Sequence, residues 1–402
     1  MGNQLRTNKL IELAHNELKY AVKIRRIIHQ NPELGFEEFK TSELITHELG
    51  GMGYEVIRSI GKTGVVALAG EDSSGPTLLL RFDMDALPIQ EENEKPYKSQ
   101  NDGVMHACGH DGHVAIGLTV AKIIAENKSK IKGTVKFLFQ PAEEGLGGAQ
   151  ETIRDGVMEN PKPDYVFGLH LWNEKPINWI GYNKRAVMAG SDRFEIKVIG
   201  KGGHGGVPHE AIDPIVAAAQ VISSAQSIVA RNISPIDSAV ISFCHINGGS
   251  THNVIPEHVM LHGTIRTFNK QTRFLILERL TEITQSVAEG YDCKAEVKFI
   301  EGTPPVINHE PVTQILRSTL NELFPESNID DDYKTMGAED FSLFLDQIPG
   351  CFYFIGSANQ EKELNYGHHH PRFDFDEQAM AIGTASMLGL IEKMSCISLS
   401  DK

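Results

Sequence analysis

Between residues 10 and 28 apolar side chains recur at three- and four-residue spacing (Leu10, Leu13, Leu18, Val22, Ile24, Ile27), the pattern of one amphipathic helix that Asn31-Pro32 ends. Beyond it the apolar runs shorten to 65–69, 77–82, 134–140 and 165–171, each bounded by Gly, Pro or Asp, with a helical stretch at 116–127 among them. Strands alternating with helices predict an α/β fold around a mixed central sheet. After residue 184 the order becomes strand 193–199, helix 212–231, strands 239–246 and 259–268, helix 271–289 and strand 295–300. That β-α-β-β-α-β series is the split βαβ plan of a ferredoxin-like α+β module. A helix at 310–323 and a strand at 351–355 then resume the first pattern. The expected organisation is two domains. A larger α/β domain over 1–184 and 303–402 is interrupted by a satellite domain over 185–302, and Gly302-Thr303-Pro304-Pro305 serves as the return linker.

Composition narrows the function classes. The chain has 402 residues, 41% of them hydrophobic, without a run of about 18 apolar residues from which to build a membrane span. Each domain is long enough to bury a core without metal or disulfide staples. Lys and Arg number 38 against 53 Asp and Glu, a formal charge of −15. This balance argues against nucleic acid or an anionic membrane as partner and favours a small-molecule substrate. The five cysteines (Cys108, Cys244, Cys293, Cys351, Cys396) are odd in number and scattered, the usage of reduced thiols in a cytoplasmic protein. Of these, Cys244, Cys293, Cys351 and Cys396 are expected to pack as small hydrophobes. The N-terminal stretch has no apolar region of the kind a secretory signal needs, and no targeting is expected.

The chemistry concentrates in a few short segments. His106-Ala-Cys108-Gly-His110-Asp-Gly-His113 gathers three imidazoles, a thiol and a carboxylate just before an apolar helix, donors that transition metals of the zinc type accept. In Gln140-Pro-Ala-Glu143-Glu144-Gly145 an apolar strand runs into adjacent carboxylates. Neighbouring residues point apart, so one can bind metal while the other acts as a base, although by itself such a pair equally starts a helix. His170 lies in an apolar strand, where a lone histidine is more often core, and His368-His369-His370-Pro371 adds a triple histidine near the end of the chain. Asp83 and Asp85, two residues apart at a strand end, face one side. They can orient a ligating histidine or cap a turn before Pro88.

The ordered series HACGHDGH, FDMDALP, QPAEEG, FGLH, GKGGHGGVP, NVIPE, GAEDF and HHHPRFDFDE resembles the aminoacylase/carboxypeptidase metallohydrolases, closest to their hippurate-hydrolase and N-acyl-amino-acid amidohydrolase branch. The likeness runs from about Arg25 to Asp376. It implies a pair of divalent ions per subunit (Zn, Mn, Co or Ni) held by Cys108, His110, Glu144, His170 and His369. Glu143 then matches the general base, and Asp85 the carboxylate that supports the metal centre. Much of the wider superfamily carries a bridging Asp, and a His where Asp83 stands. This chain departs from that pattern with Cys108 and Asp83, which leaves the metal's identity open.

The resemblance also implies that His204, set among glycines, reaches the active site of a partner subunit as a donor to the developing oxyanion, and that the satellite domain mediates a homodimer. Asn253 and Arg266 are candidates to hold the substrate's carboxylate, and His106 and His113 to support the loop. The Glu339-Asp340 pair reads as a helix start. The expected activity is cleavage of an N-acyl amino acid, acetyl, benzoyl or similar, to a carboxylic acid and an amino acid. A metallo-carboxypeptidase or dipeptidase is the alternative. A Cys108 thiol nucleophile and a catalytically silent binding protein are competing readings.

Overall fold

The computed structural model describes residues 2–72, 74–128, 131–394 and 399. The chain forms two compact units. One comprises the residues up to Val187, Ile307–Lys334 and the chain from Asp340 on; the other comprises Met188–Val306 with Thr335–Glu339.

The first unit is built on an eight-stranded mixed sheet, as the alternation of strands and helices predicts. Its order is Val56–Ile60, Gly64–Asp72, Gly133–Gln140, Thr77–Asp83, Tyr165–Pro176, Gly350–Ala358, Trp179–Gly181 and Asn328–Asp330. The four central strands from Gly133–Gln140 to Gly350–Ala358 run parallel. Parallel strands are covered on both faces, so Thr77–Asp83 is buried at every position. Helix His110–Ala125 is buried along nearly its whole length, and Gln378–Met394 likewise. In parallel sheets the carboxyl ends of the strands are where loops converge on ligands. Here they deliver Asp83 and Asp85, then Glu143 and Glu144, to one edge, with His170 in the adjoining strand.

The single helix expected over 10–28 is two, Gly2–Asn16 and Leu18–Gln30, parted at Glu17. The first packs on Gln378–Met394 and the second on His110–Ala125. Periodicity reports which face is buried, not the direction of the axis, so one stripe covers two helices with different supports.

The second unit has strand order Ala239–Asn247, His258–Thr267, Gly190–Ile199, Lys294–Glu301, all antiparallel, with helices Pro214–Ser227 and Lys270–Glu289 packed on it. This is the ferredoxin-like arrangement. Phe194, Ile196, Val198, Leu261, Ile265, Ile276 and Leu280 form its core. Asp213 caps the first helix through Ile215 N at 2.9 Å, and Pro214 opens it. Cys293 and Cys351 are buried as expected, but Cys244 is exposed. The strand register skips it between Phe243 and His245, and the irregularity turns the thiol away from the core. Cys396 lies outside the described residues. Among the described residues no helix is long and apolar enough to cross a membrane.

Candidate metal centre

His110 and His113 sit one turn apart at the start of their helix and face the strand ends. Each imidazole is fixed by what it bonds. His110 Nδ1 donates to Asp85 O at 3.0 Å and Asp85 Oδ1 at 3.1 Å, leaving Nε2 buried without a hydrogen-bond partner among the described residues. His170 Nδ1 donates to Leu171 O at 2.7 Å, so the Nε2 lone pair looks toward Cys108 Sγ, 3.5 Å away. Burial, with His113 and His368 nearby, holds His170 far below the usual imidazole range and therefore neutral.

His113 is occupied on both sides. Its Nε2 accepts from Leu171 N at 2.9 Å and its Nδ1 donates to Asp83 Oδ1 at 2.5 Å. Asp83 also accepts from Arg81, which reaches Gln140 Oε1 at 2.8 Å and Asp340 Oδ1 at 2.9 Å. Burial opposes the charge on Asp83, but His110, His113 and Arg81 outweigh it and hold the carboxylate well below the usual range. Asp83 is thus a carboxylate bonded into a support network.

The remaining donors close the group. Asp85 Oδ2 accepts from Glu144 N at 3.0 Å, tying the second carboxylate turn to the first. Glu144 Oε1 is buried and makes no hydrogen bond among the described residues, with His369 Nε2 at 3.3 Å. His369 is held by its own N–H on Ala107 O at 2.8 Å, in a left-handed conformation with φ 63°. Its neighbours do other work. His368 Nε2 donates to Leu171 O at 2.9 Å and its ring lies 4.5 Å from that of Trp172, while His370 stacks on Tyr366. Ligand atoms of Cys108, His110 and His170 lie within 4.8 Å of one another, as do those of Cys108, Glu144 and His369, and those of His110, Glu143 and Glu144. All five expected donors and Glu143 are therefore brought together in the first unit.

Of the other expected residues, His204 and Asn253 lie in the second unit, side by side. Strand Gly203–His204 pairs with Val254–Ile255, and Gly205 N donates to Asn253 O at 2.8 Å. His204 is exposed, and its Nδ1 accepts from Gly206 N at 2.9 Å, which leaves the ring proton on Nε2. Arg266 is not brought to this hairpin. It sits at the far end of His258–Thr267, beside Val240 and Ser191, and donates to Thr264 Oγ1 and to Ile265 O at 3.1 Å.

Behind the HACGHDGH loop lies a buried charge network. Arg25 meets Asp111, Asp374 and Glu377, and His29 Nδ1 is 2.8 Å from Asp111 while Nε2 is 3.3 Å from Glu91. Both partners of His29 are acceptors, so the ring is an imidazolium. Burial opposes that charge, yet Asp111 and Glu91 lift the ring to about 9. A histidine raised from its unfolded value of 6.5 contributes stability that is complete below pH 6.5 and lost as pH rises toward 9. Relative to His29→Asn, the native chain should be on the order of 2–3 kcal/mol more stable at pH 6 than at pH 9.5. Urea denaturation of both at the two pH values checks this; a gap between the variants that does not change with pH would mean that His29 is neutral in the fold.

Three contributors were missed from sequence. Arg81, a charge inside the apolar run LLLRFD, was a visible signal. Asp340, read as a helix start, instead accepts from Arg81, Gln140 and Ala149 N. Glu38 gave no signal in FEEF, yet it is fully buried.

Residues 79–393 match peptidase family M20/M25/M40. The chain is 40% identical over 362 residues to the N-acetyl-L-cysteine deacetylase of Bacillus subtilis (strain 168), covering 90% of this chain and 85% of that protein. Thermostable carboxypeptidase 2 of Saccharolobus solfataricus is 39% identical over 394 residues, covering 96% of this chain and 99% of that protein. Among solved structures, the YXEP protein of Bacillus subtilis, described as a dinuclear metal binding peptidase from the M20 family, superposes with a TM-score of 0.83 at 32% identity, covering 95% of this chain and 99% of that one. By the reach of the family match and by identity over nearly the whole length, the chain belongs to peptidase family M20/M25/M40.

Proposed function

We propose that this protein is a metal-dependent amidohydrolase that cleaves N-acyl amino acids, acetyl, benzoyl or similar, to a carboxylic acid and a free amino acid. The observation that carries the reading is a buried donor cluster whose His110 Nε2 and Glu144 Oε1 have no hydrogen-bond partner among the described residues, with the second carboxylate, Glu143, beside it. The donors fit a pair of divalent ions. Two groups of three share Cys108, and one thiol, three imidazoles and a carboxylate form a set that Zn, Co, Ni or Mn accepts. Cys108, His110, Glu144, His170 and His369 would hold the ions, with Asp85 fixing His110 and the Glu144 backbone. Bound there, the ions supply Lewis acidity toward the amide carbonyl and lower the pKa of water.

Glu143 takes the proton of the attacking water and returns it to the leaving nitrogen. The exposed Nε2–H of His204 is suited to donate to the oxyanion of a substrate in a partner's site, in a homodimer formed through the second unit. Asn253, next to it, and Arg266 are the proposed contacts for the substrate carboxylate. A Cys108 nucleophile is disfavoured. Burial and the adjacent Glu144, Glu143 and Asp83 push its thiol well above the usual range, opposite to what thiolate chemistry needs. Four cysteines are free among the described residues, in keeping with a reducing, cytoplasmic setting.

The test is amine release from N-acetyl, N-benzoyl and aminoacyl amino acids by protein reconstituted with Mn, Co, Ni or Zn, with metal content and sedimentation measured on the same preparations. Turnover lost on chelation is expected, with N-acyl substrates preferred. Preference for aminoacyl substrates would instead favour a dipeptidase or carboxypeptidase, consistent with the likeness to thermostable carboxypeptidase 2. Activity that survives chelation would overturn the reading, and an active monomer would remove His204 from it.

A further inference from the structure

Glu38 stands at the N-cap position of helix Phe39–Gly51, but its carboxyl does not cap that helix. Glu33 does so instead, accepting from Lys40 N at 3.0 Å and Thr41 N at 2.9 Å. The Glu38 side chain turns inward, fully buried, and takes two donors from distant parts of the chain: Thr63 Oγ1 at 2.5 Å and Ala142 N at 2.9 Å. Ala142 immediately precedes Glu143 and has φ 54°, a left-handed conformation that a residue with a Cβ adopts at a cost.

Backbone packs closely around that peptide. A Cβ on Gly35 would lie 3.0 Å from Ala142 Cα, and one on Gly148 would lie 1.7 Å from Pro141 O. Gly148 N also donates to Ala142 O at 3.0 Å. Two residues on, Asp85 Oδ2 grips Glu144 N. Glu143 is therefore carried between two backbone clamps, Glu38 on one side and Asp85 on the other.

We infer that Glu38 is a positioning residue for the proton-transfer step, holding Ala142 in its left-handed conformation and so fixing the direction from which Glu143 meets the substrate. This rests on the reading of Glu143 as the general base. The role requires an acceptor for Ala142 N and a group of the right outline, not a negative charge. In keeping with this, burial lifts the Glu38 carboxyl toward neutrality, to about 7.

Steady-state kinetics on metal-saturated protein tests the inference. Glu38→Ala should lower kcat about 100-fold, the size expected when a reacting group is misplaced by about 1 Å. KM and bound metal per chain should be unchanged, because Asp85 still holds Glu144. Glu38→Gln, which can accept from Ala142 N and donate to Thr63, should recover most of kcat. Ala142→Gly placed in the Glu38→Ala chain should recover roughly tenfold, because glycine takes positive φ without help.

Native kcat in Glu38→Ala would overturn the inference, as would a loss that neither Glu38→Gln nor Ala142→Gly restores. Should Glu38→Ala fail to fold, Thr63→Val frees one side of the carboxyl. It should cost about fivefold in kcat, a smaller misplacement of the same kind, again relieved by Ala142→Gly; native kcat there would count against the inference equally. Glu143→Gln assayed alongside separates the two readings. If it keeps turnover, the base assignment fails and this inference falls with it; if it loses turnover while Glu38→Ala does not, only the positioning role fails.

Discussion

Glu143→Gln should bind metal as the native chain does, fold as stably, and turn over at least 10²–10⁴-fold more slowly, the range that a positioned general base supplies. The substitution preserves the outline of the side chain and one acceptor oxygen, and removes the carboxylate's charge and its capacity to take a proton. The turn that carries it is held through backbone groups, Ala142 N on Glu38 and Glu144 N on Asp85, neither of which involves the Glu143 carboxyl. Its geometry should therefore survive the change. Glu144→Gln makes the contrast. That residue offers a buried oxygen beside Cys108 and His369, so its loss should appear first as metal lost from the protein and only then as lost turnover. Metal content by elemental analysis, together with kcat at saturating metal, separates the two variants. Full turnover in Glu143→Gln with metal in place would mean that another group moves the proton.

The candidate donors were legible because their chemistry is concentrated in rare residue types at strand ends. Cys108, His110 and His170 stand out in apolar surroundings, and the alternation of strands already places their loops on one edge of the sheet. What brings His369, of three adjacent histidines, beside Glu144 is backbone geometry that a sequence does not show. Its left-handed φ and the bond to Ala107 O turn it toward Glu144, while His368 is drawn to Leu171 O and Trp172.

The supporting residues were hidden for a different reason. Glu38 and Ala142 are 104 positions apart, and a glutamate in FEEF reads as a solvated helix start until the fold closes over it. Helix Gln378–Met394 escaped because it is buried on nearly every face and so lacks the stripe by which amphipathic helices are recognised. Arg266 was visible by residue type, a strand arginine suited to a carboxylate clamp, and its register, which the sequence does not show, puts it at the other end of the strand from Asn253.

Removing the Arg25 guanidinium should be the most damaging single change to stability in the first unit. Arg25 is completely buried, with Nε 2.9 Å from Asp111, Nη2 2.5 Å from Asp374 and Nη1 3.2 Å from Glu377, and its plane lies 4.2 Å from the Phe375 ring centre. Burial opposes the charge, and Asp374 and Asp111 more than compensate; the Arg25 cation in turn holds both as carboxylates, with His29 adding to the effect. Arg25→Met would leave two buried carboxylates without their guanidinium partner. Breaking a buried pair from one side costs about 3–5 kcal/mol, whereas replacing a whole buried network with apolar groups can be neutral. Arg25→Lys should recover little, because a point charge cannot meet three acceptors in the plane of a guanidinium. The loss should also weaken metal binding, since Asp111 adjoins His110 at the helix start and anchors it to the Arg25 helix. Urea denaturation of metal-stripped protein isolates the folding term from metal linkage, and titration with metal then reads the second effect. A metal-stripped Arg25→Met chain within about 1 kcal/mol of native would place this network among those whose charges specify geometry without contributing net stability.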